Sequence, residues 1–387
     1  MTDRQPALGK EGRVLITPED GSPPFYATLE MADDPLDVGT PLCKLTLLSD
    51  EACDFLDIPR TSVPSDAFIK LSFGAGMYGY RVTLLTPDGR PAPGVKISGI
   101  TLPGGGDCVT DDRGQTIGVG PANVMLSVQS PYIDCETETV SASSSGDVIT
   151  EITIKFRRII KSIYIIETSD EIQFSPDVAF LDGCAIGAGS SGWWSGDTGG
   201  NIATGGGAGG SIENRFNIPY MGQKITVTVG ANAGKGTAGS TVISGLQEDI
   251  IGEGAIGPVT DRPPSPATSK NGGNGAVKEV YGGTGPGYNG SDRTAFPFDD
   301  ESILCSGGGG TGGVRQDPDG VGYPGGKGGK SGGGAGGDGG GYNGNSGYPG
   351  LYYGSGGGGP GLSYRDSFGG DGDGKDGVAM FRARFKS

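Results

Sequence analysis

The stretch GGKGGKSGGGAGGDGGGYNG, residues 325–344, decides how the second half of this chain can fold. The chain has 80 glycines in 387 residues, and most of them lie in similar tracts in its last half. These tracts have almost no side chains to bury, so they cannot build an ordinary hydrophobic core. They are either disordered or held by backbone hydrogen bonds between closely packed extended segments.

The spacing inside the tracts bears on this choice. Disorder is the default for glycine- and proline-rich sequence without a period, and a collagen-like triple helix needs glycine strictly at every third position, which the chain lacks. The remaining structure is a bundle of polyglycine II-type rods with three residues per turn. Non-glycine residues recur at spacing three, as at Lys327 and Lys330, which favours the rods. Repeated tetrads predict chain reversals between rods: GYPG at 322–325 and 347–350, and GYNG at 287–290 and 341–344.

Charge and hydropathy limit the possible partners. The chain has 29 Lys and Arg against 45 Asp and Glu, a formal net charge of −16. Nucleic acids and anionic membranes attract clusters of Lys and Arg, so we expect neither as a partner. No apolar run approaches the roughly 20 residues of a membrane span, and the first residues have no apolar signal-peptide core. We therefore expect synthesis in a cytoplasm, and either a soluble product or export as part of an assembly.

Enzymatic and metal chemistry are not predicted. Histidine is absent, which removes the commonest general base and metal ligand, so we expect no enzyme, no cofactor and no metal site. The aspartates of DGDGKDG (371–377) lack the spacing of a calcium loop. Six scattered cysteines form no CxxC pair, and we expect buried free thiols, with a Cys108–Cys135 pair as the alternative; the six are Cys43, Cys53, Cys108, Cys135, Cys184 and Cys305.

Three regions follow from the patterning. Residues 1–77 read as an attachment and oligomerisation segment, with short strands at 13–18 and 25–32. Residues 78–157 alternate as several short strands between Asp-Gly turns, which predicts a small β-sandwich. The stretch TPDGRPAPGVKISG (86–99) resembles prealbumin-like modules, and this resemblance implies a prealbumin- or Ig-like arrangement of the strands.

Residues 158–387 form the predicted glycine-rich domain. Strand patterns bracket the glycine tracts at 177–187, 224–230 and 377–385. Because strands need partners, the simplest arrangement pairs 224–230 and 377–385 with the strands of 159–187 in one sheet. The overall prediction is a mainly β chain in which a C-terminal sheet platform carries the polyglycine II-type loops.

Several of these stretches together resemble the glycine-rich fibre and adhesin proteins of tailed bacteriophages. The resemblance is carried by GTPLCKLTLL (39–48), FLDGCAIGAGSSGWW (180–194), GQKITVTVGANAGKG (222–236), SGGGGTGG (306–313), GGAGGDGGG (333–341) and DGVAMFRARF (376–385). It implies a virion protein made in the host bacterial cytoplasm. Such proteins are usually homotrimers, attached to other virion proteins through the N-terminal segment, with receptor contacts at the loop tips of the glycine-rich end.

Aromatic residues are the candidate contacts for a host glycan or protein. Trp193 and Trp194 stand in a Gly- and Ser-rich stretch, so we expect at least one indole to be exposed or at an interface. The alternative is that one of them packs the sheet platform against the sandwich. Tyrosines punctuate the last tract and either bind the receptor or fill gaps between rods. Those considered are Tyr342, Tyr348, Tyr352, Tyr353 and Tyr364, with Tyr342, Tyr352 and Tyr353 taken as binding candidates.

The leading functional hypothesis is a phage fibre or tail adhesin that attaches to the host cell surface. The alternative is a purely structural head-fibre, collar or decoration protein without a receptor. An ice-binding protein would need a flat regular Thr or Ala face, which these tracts lack. A depolymerase is disfavoured because no paired-carboxylate pattern accompanies the absence of histidine.

Overall fold

The computed structural model of the chain is mainly β, with 37% of residues in strands and 2% in helix, which confirms the predicted class. Cys43 and Tyr342 lie outside the described residues. The described residues are 13–16 and 25–28 (backbone), 53–54, 60–61, 77–102, 105–144, 149–196, 201–232, 234, 236–257, 267–281, 287–313, 323–337, 344–362 and 369–386.

The first two strands form an antiparallel pair. Strands β1 (Arg13–Ile16) and β2 (Phe25–Thr28) align with Val14 opposite Ala27. The turn-forming DGSPP sequence lies between them, as the strand prediction required. Attachment through this segment stays a prediction.

The next seven strands belong to one hydrogen-bonded sheet. They are β3 (Tyr78–Leu85), β4 (Lys96–Thr101), β5 (Asp107–Val109), β6 (Gln115–Gly120), β7 (Asn123–Val128), β8 (Glu138–Ser143) and β9 (Ile149–Lys155). Their order is β8-β7-β4-β6-β3-β9, with β5 beside β4 and only the β3–β9 pair parallel. Alternate residues of β3, such as Tyr80 and Val82, are buried in a core of their own. The sandwich arrangement and the boundaries at 77 and 157 stay predictions.

Two four-stranded sheets follow, where the sequence predicted one. The first contains β10 (Tyr164–Ile166), β12 (Val178–Ile186), β15 (Ile212–Pro219) and β20 (Val378–Phe385), in the order β10-β20-β12-β15. The second contains β11 (Asp170–Ile172), β16 (Ile225–Thr228), β17 (Thr241–Ser244) and β18 (Ile250–Gly252), in the order β11-β16-β17-β18. The single-sheet prediction was therefore wrong for β16, which pairs with β11 and β17. Both sheets bury side chains in one shared core, including Leu181 and Phe381 from the first and Ile225 and Ile243 from the second.

Residues 193–299 contribute a smaller sheet and one 3-10 turn. Strands β13 (Trp193–Gly196), β14 (Asn201–Gly205) and β19 (Val277–Tyr281) form a three-stranded antiparallel sheet. The 3-10 turn, η1 (Pro297–Asp299), contacts β12 and β15. Phe298 of this turn is buried against the strands.

The glycine tracts between these sheets form extended rods that bond to one another through the backbone. We number the rods in chain order. They are rod 1 (187–192), rod 2 (206–211), rod 3 (272–276), rod 4 (287–291), rod 5 (306–313), rod 6 (324–329), rod 7 (332–337), rod 8 (345–351), rod 9 (356–362) and rod 10 (369–377).

Hydrogen bonds along each rod repeat with a period of three residues. In rod 1, Gly187 and Ser190 donate to the carbonyls of Ser211 and Ala208 in rod 2, each at 2.9 Å. A second set of residues in rod 1, also three apart, faces rod 10 instead. Gly189 and Gly192 donate to the carbonyls of Lys375 and Gly372, each at 2.9 Å. A rod with three residues per turn points every third N–H in the same direction, so this pattern is the one that polyglycine II-type packing requires.

Some neighbouring rods run parallel to each other, and a hairpin turn cannot join two parallel segments. Three hydrogen bonds, spaced three residues apart, run from rod 9 to rod 5. The donor and acceptor residue numbers rise together, so the two rods run in the same direction. They are Gly356 to Gly307 at 2.9 Å, Gly359 to Gly310 at 2.9 Å and Leu362 to Gly313 at 3.0 Å. The bundle is therefore a lattice of mixed directions in which one rod contacts several others.

The tetrads predicted to reverse the chain lie inside rods, so that prediction was wrong where the structure describes them. Residues 287–290 belong to rod 4 and residues 347–350 to rod 8. The chain turns instead near Gly332 and Gly354, whose φ values of 105° and 65° favour glycine. The tetrads thus place a tyrosine on a rod instead of at a bend.

Candidate functional site

Three rods continue directly from strands of the first four-stranded sheet. Strand β12 runs into rod 1, rod 2 runs into β15, and rod 10 runs into β20. Backbone pairing therefore passes without a break from a β-ladder to the glycine bundle. Since β12 and β20 contribute to the shared hydrophobic core, this core anchors the bundle at one end.

Other rods end together at the opposite end of the bundle. Gly313 donates to Gly337 at 2.9 Å, and Leu362 donates to Gly313 at 3.0 Å. These are the last described residues of rods 5, 7 and 9. The sequences that connect these rods to the next ones, 314–322, 338–343 and 363–368, carry side chains such as Arg315, Tyr342 and Arg365. The bundle thus has a sheet end and a far end.

The two tryptophans begin β13 at the far end of rod 1, and they differ in exposure. Trp193 is 0% exposed, and its indole lies against Gly205, where a Cβ would approach Nε1 to 2.1 Å. Trp194 is half-buried. Trp193 is therefore an interior residue in this structure, and it offers no surface to a receptor.

Tyr352 and Tyr353 lie at the sheet end, beside the turn at Gly354. The Tyr352 ring covers Gly332 and remains exposed on its other side. Tyr353 is half-buried; its hydroxyl donates to the Glu167 carboxylate, which raises the Tyr353 pKa to about 12. The structure therefore separates these tyrosines from the tryptophans by the length of the rods and does not assemble the predicted residues into one site.

Rods 4, 6, 7 and 8 are neighbours, and the tyrosines on or beside them include Tyr288, Tyr323 and Tyr348, which the sequence analysis did not take as binding candidates. Rod 4 bonds to rod 6 through Gly287 and Pro324, rod 7 bonds to rod 6, and rod 8 bonds to rod 7 through Tyr348 and Ala335. Tyr348 is 62% exposed and Tyr288 is 57% exposed. We call the exposed large side chains of this layer the outer face: Tyr288, Tyr323, Tyr348, Leu351 and Tyr352. The available sequence signal was the Gly-Tyr dipeptide of each tetrad.

Spacing explains the outer face. An extended rod of three residues per turn advances about 9 Å per turn, so side chains three apart stand in a row along it. On rod 8, Tyr348 and Leu351 are such a pair, and both are exposed. Gly347 and Gly350 donate inward to rod 10 at 2.9 and 2.8 Å. Large residues thus occupy the outward class of positions, and glycines occupy the inward class.

Titratable groups add no reactive centre to this face. No group of three or more Cys, Asp or Glu side chains is arranged to hold a metal ion in the part of the chain that the structure describes. Within the same residues, no helix has the length and apolar character needed to cross a membrane. The five described cysteines are buried free thiols. The chemistry that the outer face offers is contact and stacking by tyrosine rings, with hydroxyl groups for hydrogen bonds.

Together, the β-sheets and the three-residue hydrogen-bond period define a glycine-rich rod protein. A family model described as a glycine-rich domain matches residues 167–384. This match covers more than half of the chain, and the chain belongs to that glycine-rich domain family. A search of curated proteins finds no significant match.

Proposed function

We propose that this chain is a bacteriophage virion protein, a fibre or tail adhesin that attaches the particle to the host cell surface. The observation that carries the proposal is the glycine bundle: rods bonded at every third residue, continuous at one end with β12, β15 and β20. Such a bundle is a stiff projection that needs few large side chains in its interior. Its surface positions are then free to vary without disturbing the packing.

The anchoring geometry supports a polarity for this projection. The shared hydrophobic core fixes the sheet end, so the far end and the outer face are the surfaces available to a host. In this proposal residues 1–77 hold the protein in the virion, and the assembled form is a homotrimer. Its partners are neighbouring virion proteins and a host glycan or protein.

The outer face supports direct contact with a host component. Tyrosine combines a rigid ring with a hydroxyl, and it is enriched at binding hot spots. Tyr288 and Tyr348 are the most exposed tyrosines of the described residues, and neither belongs to the cores that stabilise the sheets.

The test is competition for adsorption. Purified full-length protein is added to host cells before the virions, and free virions are counted. We expect wild-type protein to reduce adsorption, and the double variant Tyr288→Ala/Tyr348→Ala to lose most of this effect. Ile251→Ala is the matched control, because Ile251 is an exposed large side chain on β18 outside the bundle.

Two outcomes would decide against the adhesin. If saturating wild-type protein leaves adsorption unchanged, the host-attachment role is rejected. If, in addition to that result, virions that carry the double variant adsorb normally, the protein is a structural component without a receptor. A position of the protein on the head or collar in an image of the particle would give the same answer.

A further inference from the structure

The seven-stranded sheet meets the rest of the chain at a small polar joint. The Asp88 backbone N–H donates to Oδ2 of Asp177 at 3.0 Å, and the Arg158 guanidinium binds the same oxygen at 2.9 Å. Asp88 lies in the turn after β3, whereas Asp177 immediately precedes β12. The joint therefore couples the 78–155 sheet to the strand that continues into rod 1.

Neighbouring contacts close the joint around Asp177. The Asp177 carbonyl accepts the backbone N–H of Lys386 at 2.8 Å, and the guanidinium of Arg158 lies 4.1 Å from the ring centre of Phe385. On the other side, Ile133 donates to the Gln173 carbonyl at 2.9 Å. These contacts exclude water, and the Asp177 side chain is only 1% exposed.

One oxygen of this carboxyl group is left without a donor. Oδ1 of Asp177 is buried, and no N–H or O–H of the described residues reaches it. The Asp88 and Asp177 carboxyl groups are neighbours, because the Asp88 N–H binds Asp177, and each carboxyl group shifts the pKa of the other. Two ionised carboxylates cannot donate to each other and repel in a dry site. A single proton on Asp177 removes the repulsion and supplies the missing hydrogen bond.

We propose that Asp177 shares a proton with Asp88, and that this proton is a pH-sensitive lock on the joint between the 78–155 sheet and the glycine-rich part. While the proton is held, the turn at Asp88 is bound to the start of β12. When it is lost, two adjacent carboxylates repel each other, although Arg158 binds Asp177 and Arg90 binds Asp88. The joint then opens, and the two parts are free to reorient.

Other charged groups surround the pair and bind its outer side or neighbouring groups. Arg90 binds the outer oxygen of Asp88 at 2.9 Å, and the Lys386 ammonium binds the Pro176 carbonyl at 2.6 Å. The second fully buried carboxyl group, Asp134, accepts the N–H and hydroxyl of Ser175 at 2.7 and 2.6 Å. The titratable or charged groups facing Asp177 are Asp88, Arg90, Tyr132, Asp134, Cys135, Arg158 and Lys386.

The direction of the pH effect follows from the two carboxyl groups. Burial raises the Asp177 pKa, and the neighbouring Asp88 raises it further against the opposing effect of Arg158. Burial also disfavours the ionised Asp88, but hydrogen bonds from Asp177 and Thr86 outweigh it, so the Asp88 pKa is lowered. Asp88 is therefore the ionised partner and Asp177 the protonated one. Because the Asp177 pKa is higher in the folded protein than in the unfolded chain, the proton on Asp177 stabilises the joint at low pH. This stabilisation is lost as pH rises through the Asp177 pKa of the folded protein.

Hydrogen exchange of the full-length protein tests this lock. Exchange is followed in peptides that cover 86–90 and 130–135, from pH 4 upward, and corrected for the intrinsic pH dependence of amide exchange. Above the Asp177 pKa, we expect opening in the wild type to rise about tenfold per pH unit, as one released proton requires. Asp177→Asn should abolish this rise, because an amide donates to Asp88 without ionising.

A second variant and a control complete the design. Asp88→Asn tests the same pair from its more exposed side, and it should also abolish the rise even if Asp177→Asn fails to fold. Asp107→Asn removes the partner of Lys96 in an exposed ion pair and should leave the rise unchanged. A wild-type joint with no corrected pH dependence, or one whose dependence persists in Asp88→Asn, would overturn the proposal.

Discussion

Gly309 and Gly357 approach so closely that a Cβ on Gly309 would lie 1.9 Å from the Gly357 carbonyl oxygen. Gly309 belongs to rod 5 and Gly357 to rod 9. The N–H of Gly309 donates to the carbonyl of Gly207 in rod 2 at 2.7 Å. The φ of Gly309 is not positive, so its conformation is open to any residue. Glycine is required here because three backbones meet.

We predict that Gly309→Ala destabilises the bundle. The new methyl group would overlap a backbone carbonyl that cannot rotate away, so the loss should be at least the roughly 1–3 kcal/mol of an overpacked core. Chemical denaturation of the full-length protein measures it. Gly370→Ala is the control, because a Cβ there meets nothing closer than Ser346 Oγ at 3.4 Å. Equal stability of the two variants would contradict the observed packing.

Trp193 should act on stability. Its indole is fully buried against Gly205, and truncating a buried Trp to Ala typically costs about 3–5 kcal/mol. We expect Trp193→Ala to lower the free energy of unfolding by that amount, and Trp194→Ala to lower it much less. Quenching of native fluorescence by iodide adds a second measurement: with Trp194 removed, the remaining emission should resist quenching. Efficient quenching of Trp193 would show that it is exposed.

The described cysteines should be unreactive in the native protein. Burial raises the pKa of Cys135 to about 12 and that of Cys305 to about 11, so little thiolate exists near neutral pH. In a Cys43→Ser background, we expect a thiol reagent at pH 8 to label no cysteine until denaturant is added. Fast stoichiometric labelling without denaturant would contradict the burial.

Tyr353 should give the bundle a stability contribution that ends at high pH. Its hydrogen bond to Glu167 raises the Tyr353 pKa to about 12, above the roughly 10 of an unfolded tyrosine. The contribution is therefore full below pH 10 and is lost as pH rises toward 12. Denaturation of wild type and Tyr353→Phe across this range should show curves that converge. A difference that is constant with pH would mean that the hydroxyl proton plays no part.

The sequence predicted the strands better than their partners. Strict alternation identified β16, because only one of its faces is buried. It also identified β20, although both faces of its first half are buried, one in each of two cores. It could not assign β16 to a second sheet, since alternation specifies which side chains are buried and leaves the neighbouring strand open. That choice depends on long-range packing, since Ile225, Ile243 and Leu181 come from three distant parts of the chain and share one core.

The glycine tracts show a different limit. A three-residue spacing was visible at Lys327 and Lys330, and it agrees with the hydrogen-bond period. The partner of each rod was not visible, because Gly309 carries no side chain that distinguishes Gly207 from any other acceptor. The burial of Trp193 was hidden for a related reason: its space is made by the missing side chain of Gly205, which a Gly-rich sequence does not separate from a flexible surface.

The most direct test of the rod bundle is amide exchange of the glycines in rods 1, 5 and 9. Their N–H groups bond to neighbouring rods, as Gly310 does to Gly334 at 3.0 Å and Gly359 does to Gly310 at 2.9 Å. We expect protection comparable to that of β12 and β20, lost together with them in denaturant. Exchange of these glycines at the rate of an unstructured chain, while β12 and β20 stay protected, would contradict the account.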